Sequence, residues 1–402
     1  MARAILLAAT VALVAACGPD PEPTPSAPLS GPADASAPAS PSAEPTGESE
    51  SASSTTEPLE VTGIDVGESI GGFDRPWDLR FLPDGTPLVT ERPGRVVAVV
   101  GGERVVVDDL PGVVAEGEGG LMGLAIDPEF DANRRIYVCF SAGSNGRVDK
   151  VRVVRFRLSE ELDALTDRKA LVEMSAGVGY RHQGCRLEIG PDGMLWITAG
   201  DGVQPSAPQD PDNRAGKVLR ATLAGDPAPD NPGGDWDPYV YTMGHRNVQG
   251  LAFRALDGQP FSVEHGTSCD DEINVLTAGA NYGWDPGGSG GGYAEEAPMT
   301  SSDVDDAVAA IWSSGCPTIA PSGADFITGQ RWGTWVGRLV VAVLKDEELL
   351  VATIDGDEVI DTETYLTGDL GRLRTVRNAP DGSLWVTQDA SPGSLVQLEP
   401  RS

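Results

Sequence analysis

One phrase is written three times along the chain. It reads Leu79-Arg-Phe-Leu-Pro-Asp-Gly-Thr-Pro-Leu-Val-Thr, then Leu187-Glu-Ile-Gly-Pro-Asp-Gly-Met-Leu-Trp-Ile-Thr, then Val376-Arg-Asn-Ala-Pro-Asp-Gly-Ser-Leu-Trp-Val-Thr. Each copy is a strand, a turn and a strand: proline presets the first torsion of the turn and glycine accepts the positive φ that follows. Hairpins recurring at long intervals in an all-β chain point to a β-propeller, whose blades are four-stranded sheets set around an axis. At about 50–60 residues per blade, the body from Val61 to Ser402 holds about six. A two-sheet sandwich is the competing architecture, and so long a repeat array speaks against it.

Between the repeats the apolar runs are short and rich in Val, Ile, Leu and Trp: Thr86–Thr90, Arg95–Val100, Arg135–Phe140, Val151–Leu158, Met194–Thr198, Arg338–Leu344 and Leu349–Ile354. Gly, Pro, Asn and Asp punctuate them, as strands and turns require. Only Ser159–Leu165 and Val304–Trp312 carry the pattern of a short surface helix.

The N-terminus reads as an export signal. Arg3 supplies positive charge, and the apolar run Ile5–Ala16 is too short to anchor in a bilayer. It ends in Val14-Ala15-Ala16 before Cys17, the pattern at which a signal peptide is cut and the new N-terminal cysteine is acylated. Residues 1–16 are the expected signal peptide and Cys17 the expected lipidation site. Residues 17–60 are Pro, Ser, Ala, Thr and Glu with little to bury, the composition of a disordered tether. No later run is long enough to cross a membrane, so the lipid is the expected sole membrane contact, at the outer face of the cell membrane. The formal charge of −32 argues against nucleic acid and anionic lipid as partners.

Removing Cys17 leaves Cys139, Cys185, Cys269 and Cys316, an even number suited to an oxidising compartment. Three pairings are open; nearest partners along the chain favour Cys139–Cys185 and Cys269–Cys316. No two of the four stand at the CxxC spacing of a metal site.

The three histidines, His182, His245 and His265, all fall mid-chain in stretches crowded with Gly, Arg, Asn and Asp. In a propeller such loops converge at one end of the axial channel, where ligands bind. A histidine near an aspartate is a candidate oriented base; a histidine that merely satisfies its own loop is the plainer alternative for each.

A series of phrases, in order across nearly the whole body, resembles the soluble pyrroloquinoline-quinone-dependent glucose dehydrogenases and aldose sugar dehydrogenases, the glucose/sorbosone dehydrogenase family. They are Arg75-Pro-Trp-Asp, Glu118-Gly-Gly-Leu-Met-Gly-Leu-Ala-Ile-Asp-Pro-Glu-Phe, His182-Gln-Gly-Cys-Arg-Leu, Gly216-Lys-Val-Leu-Arg, Gly244-His-Arg-Asn-Val-Gln-Gly-Leu, Asp271-Glu-Ile-Asn with Asn281-Tyr-Gly-Trp, Pro317-Thr-Ile-Ala-Pro-Ser-Gly, Leu344-Lys and Gly371-Arg-Leu-Arg. Their number and order carry the resemblance. It implies a six-bladed propeller, in agreement with the repeat count.

The resemblance also implies roles. His182 stands where the family places the base that takes the sugar hydroxyl proton while hydride leaves the anomeric carbon, yielding a lactone; free imidazole, with a pKa of about 6.5, suits that task. Asp201 matches the carboxylate that orients it. Arg246, Lys345, Arg372 and Arg374 match the cations that hold the tricarboxylate quinone, and Asn247 and Thr318 its neutral contacts. Backbone carbonyls of Gly266 and Thr267 match the ligands of a Ca²⁺ that acts as a Lewis acid. Glu118 and Gln249 fall near the expected sugar, and Glu272 and Tyr282 align with a second calcium position. The chain departs from the family at Thr267 (usually proline), at Cys316 (tryptophan in glucose-oxidising members), at Arg181 (aspartate) and at Glu118 (glutamine). Cofactor chemistry is therefore better supported than any sugar identity, and the electron acceptor is not specified. Two other readings stay open: a calcium-dependent lactonase or esterase, which needs acidic and amide side chains around its metal, and a non-catalytic carbohydrate- or protein-binding propeller.

Overall fold

A computed structural model describes residues 59–177 and 180–402. The signal peptide, Cys17 and the tether up to residue 58 lie outside the described residues. The body is a six-bladed β-propeller of antiparallel four-stranded sheets. From the axis outward, blade one is Pro76–Phe81, Pro87–Glu91, Arg95–Val100 and Glu103–Asp109. Blade two is Leu121–Ile126, Arg135–Ser144, Arg147–Leu158 and Leu165–Ser175. Blade three is Leu187–Ile189, Leu195–Ala199, Lys217–Ala221 and Val240–Met243. Blade four is Val248–Phe253, Pro260–Glu264, Glu272–Val275 and Trp312–Ser313. Blade five is Pro321–Phe326, Leu339–Val343, Leu349–Asp355 and Glu358–Tyr365. Blade six takes Leu373–Asn378, Leu384–Gln388 and Gly393–Arg401 from the C-terminus and its outer strand, Gly63–Phe73, from the beginning of the domain. The pairing of Gly63–Phe73 with Gly393–Arg401 closes the ring, and the six innermost strands pack against one another in order.

Each Pro-Asp-Gly phrase is the turn between the first and second strands of its blade. Asp84, Asp192 and Asp381 accept the backbone N–H two residues ahead through Oδ1, at 2.9, 3.0 and 2.9 Å, and the glycines hold φ of +87°, +73° and +83°. The strands are apolar on both faces because every blade is packed on both sides. Along Arg95–Val100, Val96 and Ala98 enter the layer shared with blade two, while Val97 and Val99 enter the layer shared with blade six.

The two expected surface helices do not form. In 159–165 the Ser159 hydroxyl accepts from Asp163 N and Ala164 N at 2.9 and 3.0 Å, closing a turn, and Leu162 is left-handed. In 304–312, Asp306 is left-handed, Val308 N donates to Asn281 O, and the segment runs into the outer strand of blade four. The one described α-helix, Phe130–Asn133, replaces the Pro-Asp-Gly turn in blade two. Both favoured disulfides are present, Cys139–Cys185 and Cys269–Cys316. Among the described residues no helix is long and apolar enough to cross a membrane.

Candidate active site

Antiparallel alternation sorts the loops. Connections into an innermost strand, and those between second and third strands, lie at one end of the axis; the Pro-Asp-Gly turns lie at the other. The candidate catalytic, quinone, first-calcium and sugar residues occupy the first kind of position, whereas Tyr282 lies on the connection between the third and fourth strands of blade four. Glu118, His182, Arg246, Asn247 and Thr318 precede innermost strands. Gln249 and Arg374 lie at the beginning of such strands. Asp201, Gly266, Thr267 and Lys345 sit between second and third strands. The fold thus gathers residues that are up to 256 positions apart, from Glu118 to Arg374.

His182 and Asp201 form a buried dyad, 3% and 0% exposed, with Nδ1 2.9 Å from Oδ1. The carboxylate also accepts Val203 N at 2.7 Å on Oδ1, and Trp284 Nε1 and the Tyr293 hydroxyl, each at 2.7 Å, on Oδ2. With Nδ1 donating to Asp201, the proton sits on Nδ1 and Nε2 keeps its lone pair, the state a general base needs. Asp201 N donates to Arg246 O, and Gly202 N to His182 O, which pins the two loops together.

From His182 a polar chain runs across the end of the channel. His182 N and Asn247 Nδ2 donate to the Glu118 carboxylate at 2.9 and 3.3 Å. Gln249 Nε2 donates to Asn247 Oδ1 and to Gly184 O, each at 3.3 Å, and its own Oε1 accepts Arg374 Nη1 at 2.9 Å. Asn247 and Gln249, at 0% and 2% exposure, are buried with their amides engaged. Asn247 thereby braces Glu118, and Gln249 braces Arg374. Glu118 is exposed and keeps its place at the mouth.

On the far side, Asp271 is fully buried and fastens two loops. Gly266 N and Thr318 Oγ1 donate to it at 2.8 Å, Ile319 N at 2.6 Å and Ala320 N at 3.0 Å. Lys345 Nζ donates to Thr318 O at 2.6 Å, so Gly266, Thr318 and Lys345 share one neighbourhood. Among the described residues no hydrogen bond ends on the carbonyls of Gly266 or Thr267, which leaves both free for a hard cation. No three His, Cys, Asp or Glu side chains among the described residues converge in a way that could hold a metal ion.

The cations outnumber their partners. Among the described residues Arg374 alone of the matched set has a carboxylate at ion-pair distance, Asp389 at 2.7 Å. Burial would raise the Asp389 carboxyl, but Arg374, Arg372 and Arg92 outweigh it and hold it below the usual range. Burial, with Arg75 and Arg374 nearby, pushes the Arg92 guanidinium down. Arg75 and Arg92 thus extend the cation set beyond the four that the sequence pattern marked. Arg246 Nη1 reaches His265 O at 3.3 Å, and its guanidinium lies 5.6 Å from the Trp284 ring. The Nε atoms of Arg246 and Arg374 are buried without a partner. Such orphaned, positively charged donors are costly unless an anion meets them.

The other two histidines divide. His245 is satisfied on both sides, by Glu264 at Nδ1 and by Thr242 Oγ1 at Nε2, each 2.9 Å away, and it stacks on Tyr282. It serves its loop. His265 is pushed down to about 4 by burial, so it is neutral at pH 7, and its Nε2 is unpartnered.

The glucose/sorbosone dehydrogenase pattern matches residues 73–397. The chain belongs to the glucose/sorbosone dehydrogenase family. It is 32% identical over 342 residues to an aldose sugar dehydrogenase of Escherichia coli, covering 82% of this chain and 91% of that one. It is also 32% identical over 247 residues to a quinoprotein glucose dehydrogenase of Acinetobacter calcoaceticus, covering 54% and 51%. The PQQ-bound form of an aldose sugar dehydrogenase from Streptomyces coelicolor superposes with a TM-score of 0.72 at 29% identity, over 86% of this chain and all of that one. In this member of the family, sequence reasoning missed Asp271, Trp284 and Tyr293. The first two stand inside phrases shared with the family; Tyr293 is marked only by the glycine-rich stretch before it.

Proposed function

We propose that the protein is a pyrroloquinoline-quinone-dependent aldose dehydrogenase that oxidises a sugar at its anomeric carbon to the lactone. The observation that carries this reading is a histidine whose Nδ1 is held by Asp201 beside a set of cations of which, among the described residues, Arg374 alone has a carboxylate partner. A quinone with three carboxylates fits that set, since it would meet Arg246, Lys345, Arg372 and Arg374 and the orphaned Nε donors. Ca²⁺ fits the carbonyls of Gly266 and Thr267, with Asp271 fixing their loop. Bound there, the quinone supplies a hydride acceptor and Ca²⁺ a Lewis acid.

The chain's own groups do the rest. His182 Nε2 takes the proton of the anomeric hydroxyl as the C1 hydride departs, so that C1–H and O–H are both lost and the lactone carbonyl forms. Asp201 holds the Nδ1–H and offsets the charge of the imidazolium. Glu118 stands at the mouth and orients the His182 backbone. Among the described residues no three carboxylate, histidine or cysteine side chains converge as a side-chain metal site would require, which favours this reading over the lactonase one.

Purified apo-protein given Ca²⁺ and the quinone should reduce a dye in an aldose-dependent way. His182→Ala should lower turnover by about 10²–10⁴-fold with quinone binding retained; near-wild-type turnover would remove His182 from the role. The cellular address belongs to the same reading: a signal peptide over 1–16, a lipid on Cys17 and a tether to residue 60 would hold the domain at the outer face of the membrane. Cys17→Ala should move the protein from the membrane fraction to the soluble one, and continued membrane association would sink that assignment.

A further inference from the structure

Asp201 has four donors. His182 Nδ1 and Val203 N approach Oδ1, while Trp284 Nε1 and the Tyr293 hydroxyl share Oδ2. The Tyr293 oxygen is also 3.2 Å from His182 Nδ1, so tyrosine, aspartate and histidine close a triangle. Tyr293 reaches the dyad from an unexpected direction. It lies on the 276–311 connection between the third and fourth strands of blade four, a slot that belongs topologically to the opposite end. The connection returns to the site, and its next residues hold on there: Glu295 pairs with Arg181 at 2.5 Å, and Ser268 Oγ donates to Glu296 at 2.7 Å.

We propose that Tyr293 is a positioning residue that sets the acid limb of the dyad by drawing on the Asp201 carboxylate. The inference rests on His182 being the base. Each neutral donor on a carboxylate stabilises its negative charge and weakens its hold on a neighbouring cation. The hydroxyl bond to Oδ2 therefore lessens the stabilisation that Asp201 gives to protonated His182. It keeps the imidazole unprotonated, and so basic, at lower pH. Burial, then Asp201, push the phenol above its ordinary range, so the hydroxyl stays protonated and donates throughout the working range.

Other charged groups face the dyad as well, and none of them depends on the Tyr293 hydroxyl. Glu118 takes the His182 backbone N–H, and Arg181 is engaged by Glu295. Arg246 gives its backbone carbonyl to Asp201 N and its guanidinium to the face of Trp284. Lys217, buried beneath, donates to the carbonyls of Ala207, Pro208 and Ala215; burial pushes it down to about 7 while Asp210 and Asp201 pull the other way, so it titrates in the same window in wild type and variant alike. All of them persist in Tyr293→Phe, which deletes one oxygen and keeps the ring.

The test compares wild type with Tyr293→Phe in two ways: kcat/KM against pH for the Ca²⁺- and quinone-loaded enzyme, and an NMR titration of histidine-labelled apo-protein. The chain has three histidines, and His182→Ala identifies the signal. The expected result is an acid limb and an NMR midpoint that both rise by about 0.5–1 pH unit. Curves that superimpose on wild type in both measurements overturn the proposal, whatever happens to the maximal rate. A midpoint that rises while the rate profile stays fixed also overturns it, and in that case the fault lies in the assignment of His182 as the base.

Discussion

The axis of this propeller carries two clusters of arginine, and they are built on opposite terms. Inside the channel, Arg80, Arg186 and Arg377 each have a carboxylate at ion-pair distance, although Arg186 Nη2 and Arg377 Nε are buried without a hydrogen-bond partner. Arg186 Nη1 lies 2.8 Å from Asp78, and Arg80 and Arg377 meet Glu188 at 2.6 and 2.5 Å. Burial would raise the Asp78 carboxyl, but Arg186, Arg80 and Arg377 outweigh it and hold it below the ordinary range. At the rim, Arg75, Arg92, Arg246, Lys345 and Arg372 have no carboxylate at ion-pair distance among the described residues, and Asp389 serves Arg374. The unmatched set carries unsatisfied charge that a polyanionic ligand would complete. A count of arginines cannot tell the two apart; the placement of carboxylates does.

If that contrast is right, removing charge should have opposite consequences in the two places. Asp78→Ala strands Arg186 in a dry channel and takes the acceptor from Leu124 N, 3.0 Å away. It should cost about 3–5 kcal/mol, read as a lower denaturation midpoint of the apo-protein. Arg246→Ala should change apo stability by less than about 1 kcal/mol, because it strands no carboxylate at ion-pair distance. Equal losses in the two variants would erase the distinction between the clusters.

The disulfides sharpen the same comparison, since both serve the rim. Cys185 stands three residues after His182, and its partner Cys139 is in the second strand of blade two. Cys269 stands three residues after Gly266, and its partner Cys316 precedes Thr318. With sequence separations of 46 and 47, each bond should contribute about 2–4 kcal/mol by restricting the unfolded chain. Reduction should lower thermal stability and quinone affinity while the blades keep their far-UV signature in the cold. Quinone affinity unchanged after reduction would show that the rim loops need no crosslink.

Much of this was legible in the chain. The Pro-Asp-Gly turns are local chemistry, and three copies sufficed to suggest a propeller. The cysteines paired as neighbours along the chain because each pair joins adjacent blades or loops of one rim. The helices expected at 159–165 and 304–312 failed for a physical reason: Ser159 spends its hydroxyl on closing a turn, and the second segment is drawn into blade four. Tyr293 was missed because its role depends on a long connection that crosses back over the site, and no local pattern encodes such a path.

The central claim is that the unmatched rim is a binding site for a tricarboxylate quinone. Calorimetric titration of Ca²⁺-loaded apo-protein with pyrroloquinoline quinone, at low and high salt, tests it most directly, with Arg372→Ala/Arg374→Ala as the comparison. The account predicts one quinone per chain, affinity that falls as salt screens the rim, and at least about a hundredfold weaker binding in the double variant. No saturable binding, or a double variant that binds as tightly as wild type, would contradict it.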